Sequence, residues 1–255
     1  MDNAVIEFKD VAAAYRENMA LTGISLTVYP GEFIGVIGPN GAGKTTLLTL
    51  VNGLAMAVKG RVRVFGQDVK AQDRHVLRSR VGYVAQAVDI DPRTPMSVRD
   101  VVMTGRAGLG LFRRPGKRDA GLVSEMLGFV GMTALADRPI GHLSGGERQR
   151  AAIARCLAQE PEILLLDEPT ASLDWPGRTE ILELVRRIHD TRRLTTLFVT
   201  HDLASLPAAC TRVLLMKSGR IIADGAPSKV LSDDNLSELY GVPLAEVKQR
   251  RTAGF

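Results

Sequence analysis

A glycine-rich stretch near the start of the chain has the composition and spacing of a phosphate-binding loop: Gly38-Pro39-Asn40-Gly41-Ala42-Gly43-Lys44-Thr45. Glycines let backbone N–H groups turn toward an anion without a Cβ in the way. A helix that begins at about Thr45 would add its positive N-terminal end. Lys44 is then expected to reach the terminal phosphates, and the Thr45 hydroxyl to ligate Mg²⁺. The stretch predicts a binding site for a nucleoside triphosphate.

The elements around this loop are the ones that such a site needs. An apolar run, Phe33-Ile34-Gly35-Val36-Ile37, precedes the loop and is typical of a buried strand. After the loop, apolar residues recur at helical spacing, at Leu47, Leu50, Val51 and Leu54. Gly53 is a plausible end for that helix. Strand, glycine loop and helix together give the motif its structural context.

Two carboxylates follow a second apolar run, in Ile163-Leu164-Leu165-Leu166-Asp167-Glu168. Ligands of open parallel sheets bind at the carboxyl ends of the strands, so both acids are expected beside the phosphate loop. Asp167 is predicted to hold Mg²⁺, directly or through water, and Glu168 to polarise an attacking water. The alternative is an acidic turn that caps the strand.

A second candidate anion site lies in Leu143-Ser144-Gly145-Gly146-Glu147, just before a helix-compatible run. A hydroxyl, backbone N–H groups and a helix N-terminus can together bind an anion. By itself, a serine followed by two glycines would only suggest a linker.

The strand and helix patterns favour an α/β fold with a mostly parallel sheet covered by helices. Half-polar alternation at residues 6–9, 24–28 and 62–64 predicts an antiparallel β layer around the loop unit. Residues 87–160 have helical or loop patterns, with a capped helix start at Ser97. We therefore predict one domain: an α/β core of residues 1–86 and 161–235, a helical subdomain of residues 87–160, and a C-terminal helix and tail, residues 236–255.

Composition and charge bear on the cellular location and the partners of the protein. The chain has 255 residues and a net charge of +5, with Cys156 and Cys210 expected to be buried free thiols. No apolar run approaches the ~20 residues that cross a bilayer, and the N-terminus lacks the features of a signal peptide. We expect a cytoplasmic protein whose membrane role, if it has one, comes through a partner. The basic clusters are interpreted as solvated surface, without a nucleic-acid partner.

Taken together, these motifs make the chain resemble the nucleotide-binding subunit of an ATP-binding cassette (ABC) transporter over about residues 4–242. The loop resembles Walker A, Ile163–Glu168 resembles Walker B and Leu143–Glu147 resembles the family signature. Further matches are Gln86 for the Q-loop, Ser172-Leu173-Asp174 for the D-loop, His201 for the H-loop and Tyr15 for the aromatic that stacks on adenine. Two positions depart from the pattern: Glu147 stands where glutamine is common, and Tyr15 lacks the usual following glycine.

The resemblance implies a P-loop ATPase in which two copies face each other head to tail and share two ATP sites. Catalytic roles fall to Glu168, His201, Lys44 and Gln86, and Mg²⁺ ligation to Thr45, Gln86 and Asp167. His201 would contact the γ-phosphate; the alternative interpretation is a structural histidine at a strand end. For Tyr15 the alternative to adenine stacking is an ordinary surface tyrosine. ATP contacts are implied for Tyr15, Gly38, Pro39, Asn40, Gly41, Ala42, Gly43, Lys44, Thr45, Thr46, Ser144, Gly145, Gly146, Glu147 and Asp174.

Within the family, several stretches resemble ATPases of metal-ion uptake systems, at residues 101–106, 111–115, 136–140 and 231–236. The resemblance implies an importer ATPase of the manganese/zinc branch, peripheral at the cytoplasmic face of the membrane. Its implied partners are an integral membrane permease and an extracytoplasmic solute-binding protein. The alternatives are an iron-siderophore or cobalamin-type importer ATPase, an exporter ATPase, and a soluble ABC ATPase without a transport role.

Overall fold

The computed structural model describes residues 4–15, 18–86, 91, 93–107 and 115–244. Its strands are β1 (Ile6–Tyr15), β2 (Asn18–Val28), β3 (Phe33–Ile37), β4 (Lys59–Val64), β5 (Gln67–Asp68), β6 (Val81–Val84), β7 (Ile163–Asp167), β8 (Thr195–Thr200), β9 (Arg212–Lys217) and β10 (Arg220–Gly225). Its α-helices are α1 (Lys44–Val51), α2 (Arg74–Arg80), α3 (Val98–Ala107), α4 (Lys117–Phe129), α5 (Gly145–Ala158), α6 (Trp175–Arg192), α7 (Pro227–Val230) and α8 (Asp233–Tyr240). Three short 3-10 turns lie at Thr133–Leu135, Ile140–His142 and Leu203–Ser205.

The central sheet has six strands in the order β10-β9-β3-β8-β7-β6. Its strands are parallel except β10, which pairs antiparallel with β9. Every residue of β3, β7 and β8 is buried, because helices or a second sheet cover both faces. The predicted α/β fold with a mostly parallel sheet is confirmed.

A second, antiparallel sheet has the order β2-β1-β4-β5. Its register places Ile6 opposite both Val28 and Val64, so apolar residues of three strands share the buried face. This sheet is the predicted β layer, although β2 begins earlier than the alternation suggested. The short elements α2, β5 and β10 had no prediction.

Between β6 and β7 the described residues form helices, turns and one isolated bridge, between Ser97 and Pro139. The predicted capped start of α3 is confirmed, because Asp100 accepts hydrogen bonds from the Ser97 backbone and hydroxyl. A buried guanidinium, that of Arg106, joins the helices: its Nε lies 2.9 Å from Asp119 Oδ1 and its Nη1 donates to the Ala158 carbonyl. The division of the chain into a core and a helical subdomain stays a prediction.

The hydrophobic core lies on both faces of the central sheet. On one face, side chains of α3–α6 form one buried cluster with side chains of β7 and β8, for example Val102, Ile153 and Ile181 with Phe198. On the other face, α1 and the antiparallel sheet pack together. This layering leaves the carboxyl ends of β3, β7 and β8 as the edge where polar side chains collect.

The C-terminal helix α8 begins at Asp233, ahead of the predicted Leu236, because the Ser232 hydroxyl caps it by accepting from the Asn235 N–H. Of the predicted C-terminal helix and tail, residues 245–255 lie outside the described residues. No helix in the described ranges has the length and apolarity to cross a membrane.

Candidate nucleotide site

The glycine-rich loop connects β3 to α1, and two of its glycines cannot carry a side chain. Gly43 has a φ of 96°, and a Cβ there would lie 2.6 Å from the Ala20 carbonyl oxygen. At Gly38 a Cβ would lie 2.2 Å from the Met216 carbonyl oxygen. The loop therefore packs backbone against backbone at both ends, and α1 begins directly at Lys44.

Lys44 folds back over this loop with only 6% of its side chain exposed. Its Nζ donates to the carbonyls of Gly38 (2.7 Å) and Pro39 (3.0 Å) and lies 3.5 Å from Glu168 Oε1. A buried ammonium needs such partners. The same geometry places the charge where phosphate oxygens would enter the loop.

Asp167 ends β7 and is 3% exposed. Its Oδ2 accepts from the Tyr83 hydroxyl at 3.1 Å, and its carboxylate also bonds the Thr45 hydroxyl. Burial raises the pKa of Asp167, and the bonds from Thr45 and Tyr83 oppose that rise. The predicted Mg²⁺ ligands Thr45 and Asp167 are thus adjacent, although they lie far apart in sequence.

Glu168 follows with an unusual backbone, at a φ of 48°. Its N–H donates to the Val199 carbonyl at 3.1 Å, which ties the turn to β8. The side chain is 13% exposed, and its Oε2 lies 3.0 Å from Nδ1 of His201. A left-handed conformation in a non-glycine residue is strained and is found preferentially at functional sites.

One cavity of about 1150 Å³ contains most of these groups. Gln86, two residues beyond β6, is exposed and contributes to its wall. The described residues that line the cavity include Asn40, Gly41, Ala42, Gly43, Lys44, Thr45, Thr46, Gln86, Glu168, Arg178, His201 and Tyr240. The structure thus gathers the predicted loop, Q-loop, Walker B and H-loop residues around one space.

The signature residues, Ser144–Glu147, lie outside the first cavity. Ser144 caps α5: its hydroxyl accepts from the Glu147 N–H, and the Glu147 carboxylate accepts from the Ser144 N–H at 2.7 Å. That backbone bond lowers the pKa of Glu147. Within the described residues, Ser144–Glu147 line a second cleft of about 430 Å³ together with Asp174, and none of them lines the first cavity.

The remaining predicted ATP contacts are those of Asp174 and Tyr15. Asp174 is the N-cap of α6, where its Oδ1 accepts from the Gly177 N–H at 3.0 Å. The backbone of Tyr15 ends β1 opposite Asn18. Its side chain lies outside the described part of the structure, so the adenine contact stays a prediction.

Several residues at the site had no sequence prediction, among them Tyr83, Arg178 and Tyr240. Arg178 pairs with Asp202 at 2.6 Å, and the Tyr240 hydroxyl lies 3.3 Å from the His201 carbonyl oxygen. No spacing pattern marks them, because each reaches the site through tertiary packing alone.

The parallel sheet, the glycine loop at a helix start and the acids on a neighbouring strand define a P-loop nucleotide-binding protein. A model of the ABC transporter family matches residues 21–171. The chain belongs to the ABC transporter family, and it is an ATPase of the ABC transport type.

Known proteins of this kind are similar over nearly the whole chain. The manganese transport system ATP-binding protein MntB of Bacillus subtilis is 38% identical over 96% of this chain and 96% of its own length. A solved metal-chelate type ABC transporter in an inward-facing conformation is 28% identical, with a TM-score of 0.81 over 94% of this chain and 90% of that one. A bacterial ABC transporter cassette solved as a dimer is 27% identical, with a TM-score of 0.76 over 87% of this chain and 98% of that one.

Proposed function

We propose that this protein is the ATP-hydrolysing subunit of a metal-ion importer. The observation that carries the proposal is the match to a manganese transport ATP-binding protein along 96% of both chains. Manganese or zinc is the proposed cargo.

The donor set beside the loop fits Mg²⁺. The Asp167 carboxylate, the Thr45 hydroxyl and the Gln86 amide oxygen are hard oxygen ligands, and Mg²⁺ is usually held by one or two carboxylates plus substrate phosphates. When bound, the cation would neutralise the charge that develops on the phosphates.

The residues around the loop suggest how ATP is hydrolysed. Lys44 would exchange the carbonyls of Gly38 and Pro39 for phosphate oxygens, which weakens its attraction to Glu168. The Glu168 carboxylate would then orient a water and accept its proton, while His201 contacts the γ-phosphate. The protein would accelerate hydrolysis mainly by positioning the reacting groups and neutralising phosphate charge, because phosphoryl transfer needs little covalent chemistry from the protein.

A second copy of the chain would complete each site. Within one chain, Ser144–Gly146 line a different cleft from Lys44 and Glu168. A nucleotide that contacts both sets therefore needs a symmetric partner that brings its own Ser144 to the loop. The dimeric form of the similar bacterial cassette supports this arrangement.

The remaining partners follow from the proposed role. The ATPase would bind integral membrane permease subunits at the cytoplasmic face of the membrane, and an extracytoplasmic solute-binding protein would deliver the metal. Residues 87–160 would act as the helical subdomain and Gln86 as its link to the site. An importer of metal chelates, such as an iron-siderophore or cobalamin system, is the second candidate, favoured by the similarity to the metal-chelate type transporter.

Uptake in a strain that lacks this protein tests the cargo. We expect the loss of high-affinity manganese or zinc accumulation, restored by the wild-type chain and by Glu183→Gln but not by Glu168→Gln. Glu183 is a matched control because it is an exposed glutamate on α6 that pairs with Arg186. Loss of chelate uptake alone would favour the second candidate. Unchanged uptake of both metals and chelates would contradict both.

A further inference from the structure

Tyr83 belongs to none of the sequence motifs, yet its hydroxyl lies 3.1 Å from Oδ2 of Asp167. We propose that Tyr83 is a positioning residue that fixes the Asp167 carboxylate in the orientation in which it ligates Mg²⁺. The proposal rests on the MgATP site described above. It assigns a role to a side chain that is not among those lining the nucleotide cavity.

The sheet register explains how the contact arises. Tyr83 of β6 pairs with Leu165 of β7, and the strands are parallel. Leu165 and Asp167 share one face of β7, because side chains two residues apart point the same way. Asp167 is thus about 6.6 Å further along the strands than Tyr83, at about 3.3 Å per residue. A phenol is long enough to span that offset along the shared face, whereas a short side chain is not.

The carboxylate needs this donor because it is almost fully buried. Asp167 is 3% exposed, and a buried carboxylate without hydrogen-bond donors is costly. Among the described residues, its hydroxyl donors are Thr45 and Tyr83. Thr45 is itself an expected Mg²⁺ ligand, so its hydroxyl serves two partners. Tyr83 approaches from the neighbouring strand and orients the carboxylate independently of α1.

Packing holds Tyr83 in place. The preceding residue, Gly82, lies so close to α5 that a Cβ there would be 2.3 Å from Cys156 Sγ. Parallel pairing with β7 holds one edge of the strand, which is the last strand of the central sheet. The Tyr83 ring is half-buried against the core cluster on the loop side of the sheet. Its hydroxyl is therefore presented by a paired strand rather than by a loop.

Groups that orient metal ligands typically change metal affinity by about 10- to 100-fold when they are removed. Tyr83→Phe removes one hydroxyl and keeps the ring. The matched control is Tyr29→Phe, since Tyr29 is an exposed tyrosine in the turn after β2. The dissociation constant of a non-hydrolysable ATP analogue is measured for both variants and the wild type, once in EDTA and once with saturating Mg²⁺.

We expect Mg²⁺ to tighten analogue binding in the wild type and in Tyr29→Phe. In Tyr83→Phe the tightening should be smaller by about tenfold, with EDTA affinity nearly unchanged. The melting temperature should fall modestly, because a buried carboxylate loses one donor. The Mg²⁺ concentration that half-saturates hydrolysis should rise by a similar factor, while kcat at saturating Mg²⁺ largely recovers.

The inference would be overturned if Mg²⁺ tightened analogue binding equally in Tyr83→Phe and in the wild type. It would also be overturned if the analogue affinity of the wild type did not depend on Mg²⁺. A Tyr83→Phe protein weakened equally in EDTA and in Mg²⁺ would show a general structural role instead and also overturn it. Failure of the wild type to bind the analogue at all would overturn the proposed function itself. The two failures are therefore distinguishable.

Discussion

The Nδ1 atom of His201 lies 3.0 Å from Oε2 of Glu168, and Oε1 of the same carboxylate lies 3.5 Å from Lys44 Nζ. One carboxylate thus bridges the histidine after β8 and the lysine of the glycine loop. Changing its charge alters both contacts at once. The site can be probed most directly through this group.

Replacing Glu168 with glutamine keeps the size of the side chain and removes its ability to accept a proton. We expect ATP turnover to fall by about 10²-fold or more, the usual scale for loss of a general base. ATP binding should persist, since Lys44 can still exchange the carbonyls of Gly38 and Pro39 for phosphate oxygens. Phosphate release and nucleotide titration measure the two effects. Turnover close to that of Glu183→Gln would refute the role of Glu168.

Replacing Lys44 with alanine should weaken ATP binding itself, unlike Glu168→Gln. The variant removes the buried cation that faces the phosphate position, so nucleotide affinity itself should fall, by roughly 10-fold or more for a lost charge-assisted contact. Equilibrium titration with labelled ATP measures the loss. Arg99→Ala serves as a control for removing a cation, because Arg99 pairs with Asp137 on the exposed surface of α3. Equal affinities of Lys44→Ala and wild type would contradict the phosphate-binding geometry.

Trp175 offers a probe of the proposed dimer. It is the chain's single tryptophan, is 77% exposed, and follows Asp174 at the start of α6 beside the second cleft. If ATP brings a second copy onto this cleft, the indole loses water and its fluorescence maximum should shift to the blue. The shift should be largest in Glu168→Gln and absent in Lys44→Ala. A closed dimer seen by light scattering without any spectral change would place the partner away from Trp175.

The sequence is most informative where chemistry and backbone geometry coincide. Gly38, Gly43 and Lys44 were predictable because a phosphate loop restricts both residue type and spacing, and the buried strand before Asp167 is apolar throughout. The contacts of Tyr83 and Tyr240 were not predictable. The contact of Tyr83 depends on which strands are neighbours and in what register, and that of Tyr240 depends on where α8 packs. One sequence does not contain that information.

The buried charge of Arg106 should contribute strongly to stability. Its side chain is 4% exposed and that of Asp119 is 1% exposed, and breaking such a pair typically costs about 3–5 kcal/mol. Arg106→Ala should lower the free energy of unfolding by about that amount, whereas Arg99→Ala, which removes an exposed pair, should change it by less than about 1 kcal/mol. Urea unfolding compares them. Similar losses in both variants would show that burial of the Arg106 pair adds nothing.

The two buried cysteines should make the fold sensitive to alkali. Burial raises the pKa of the Cys156 thiol to about 12 and that of Cys210 to about 11, although hydrogen bonds with Gly35 and Arg212 partly offset the rise at Cys210. An exposed thiol in the unfolded chain titrates near about 8.5. Between about pH 9 and pH 11 the unfolded state has therefore lost protons that the folded state keeps.

Because the unfolded state binds fewer protons in that range, the free energy of unfolding must fall as pH rises. Each buried thiol contributes a slope of up to about 1.4 kcal/mol per pH unit. Cys156→Ala should reduce the slope by about that much, while groups such as lysines titrate alike in both proteins and cancel in the comparison. Urea unfolding across this pH range measures the slopes. Identical slopes would mean that the Cys156 thiol ionises in the folded protein as readily as in the unfolded one.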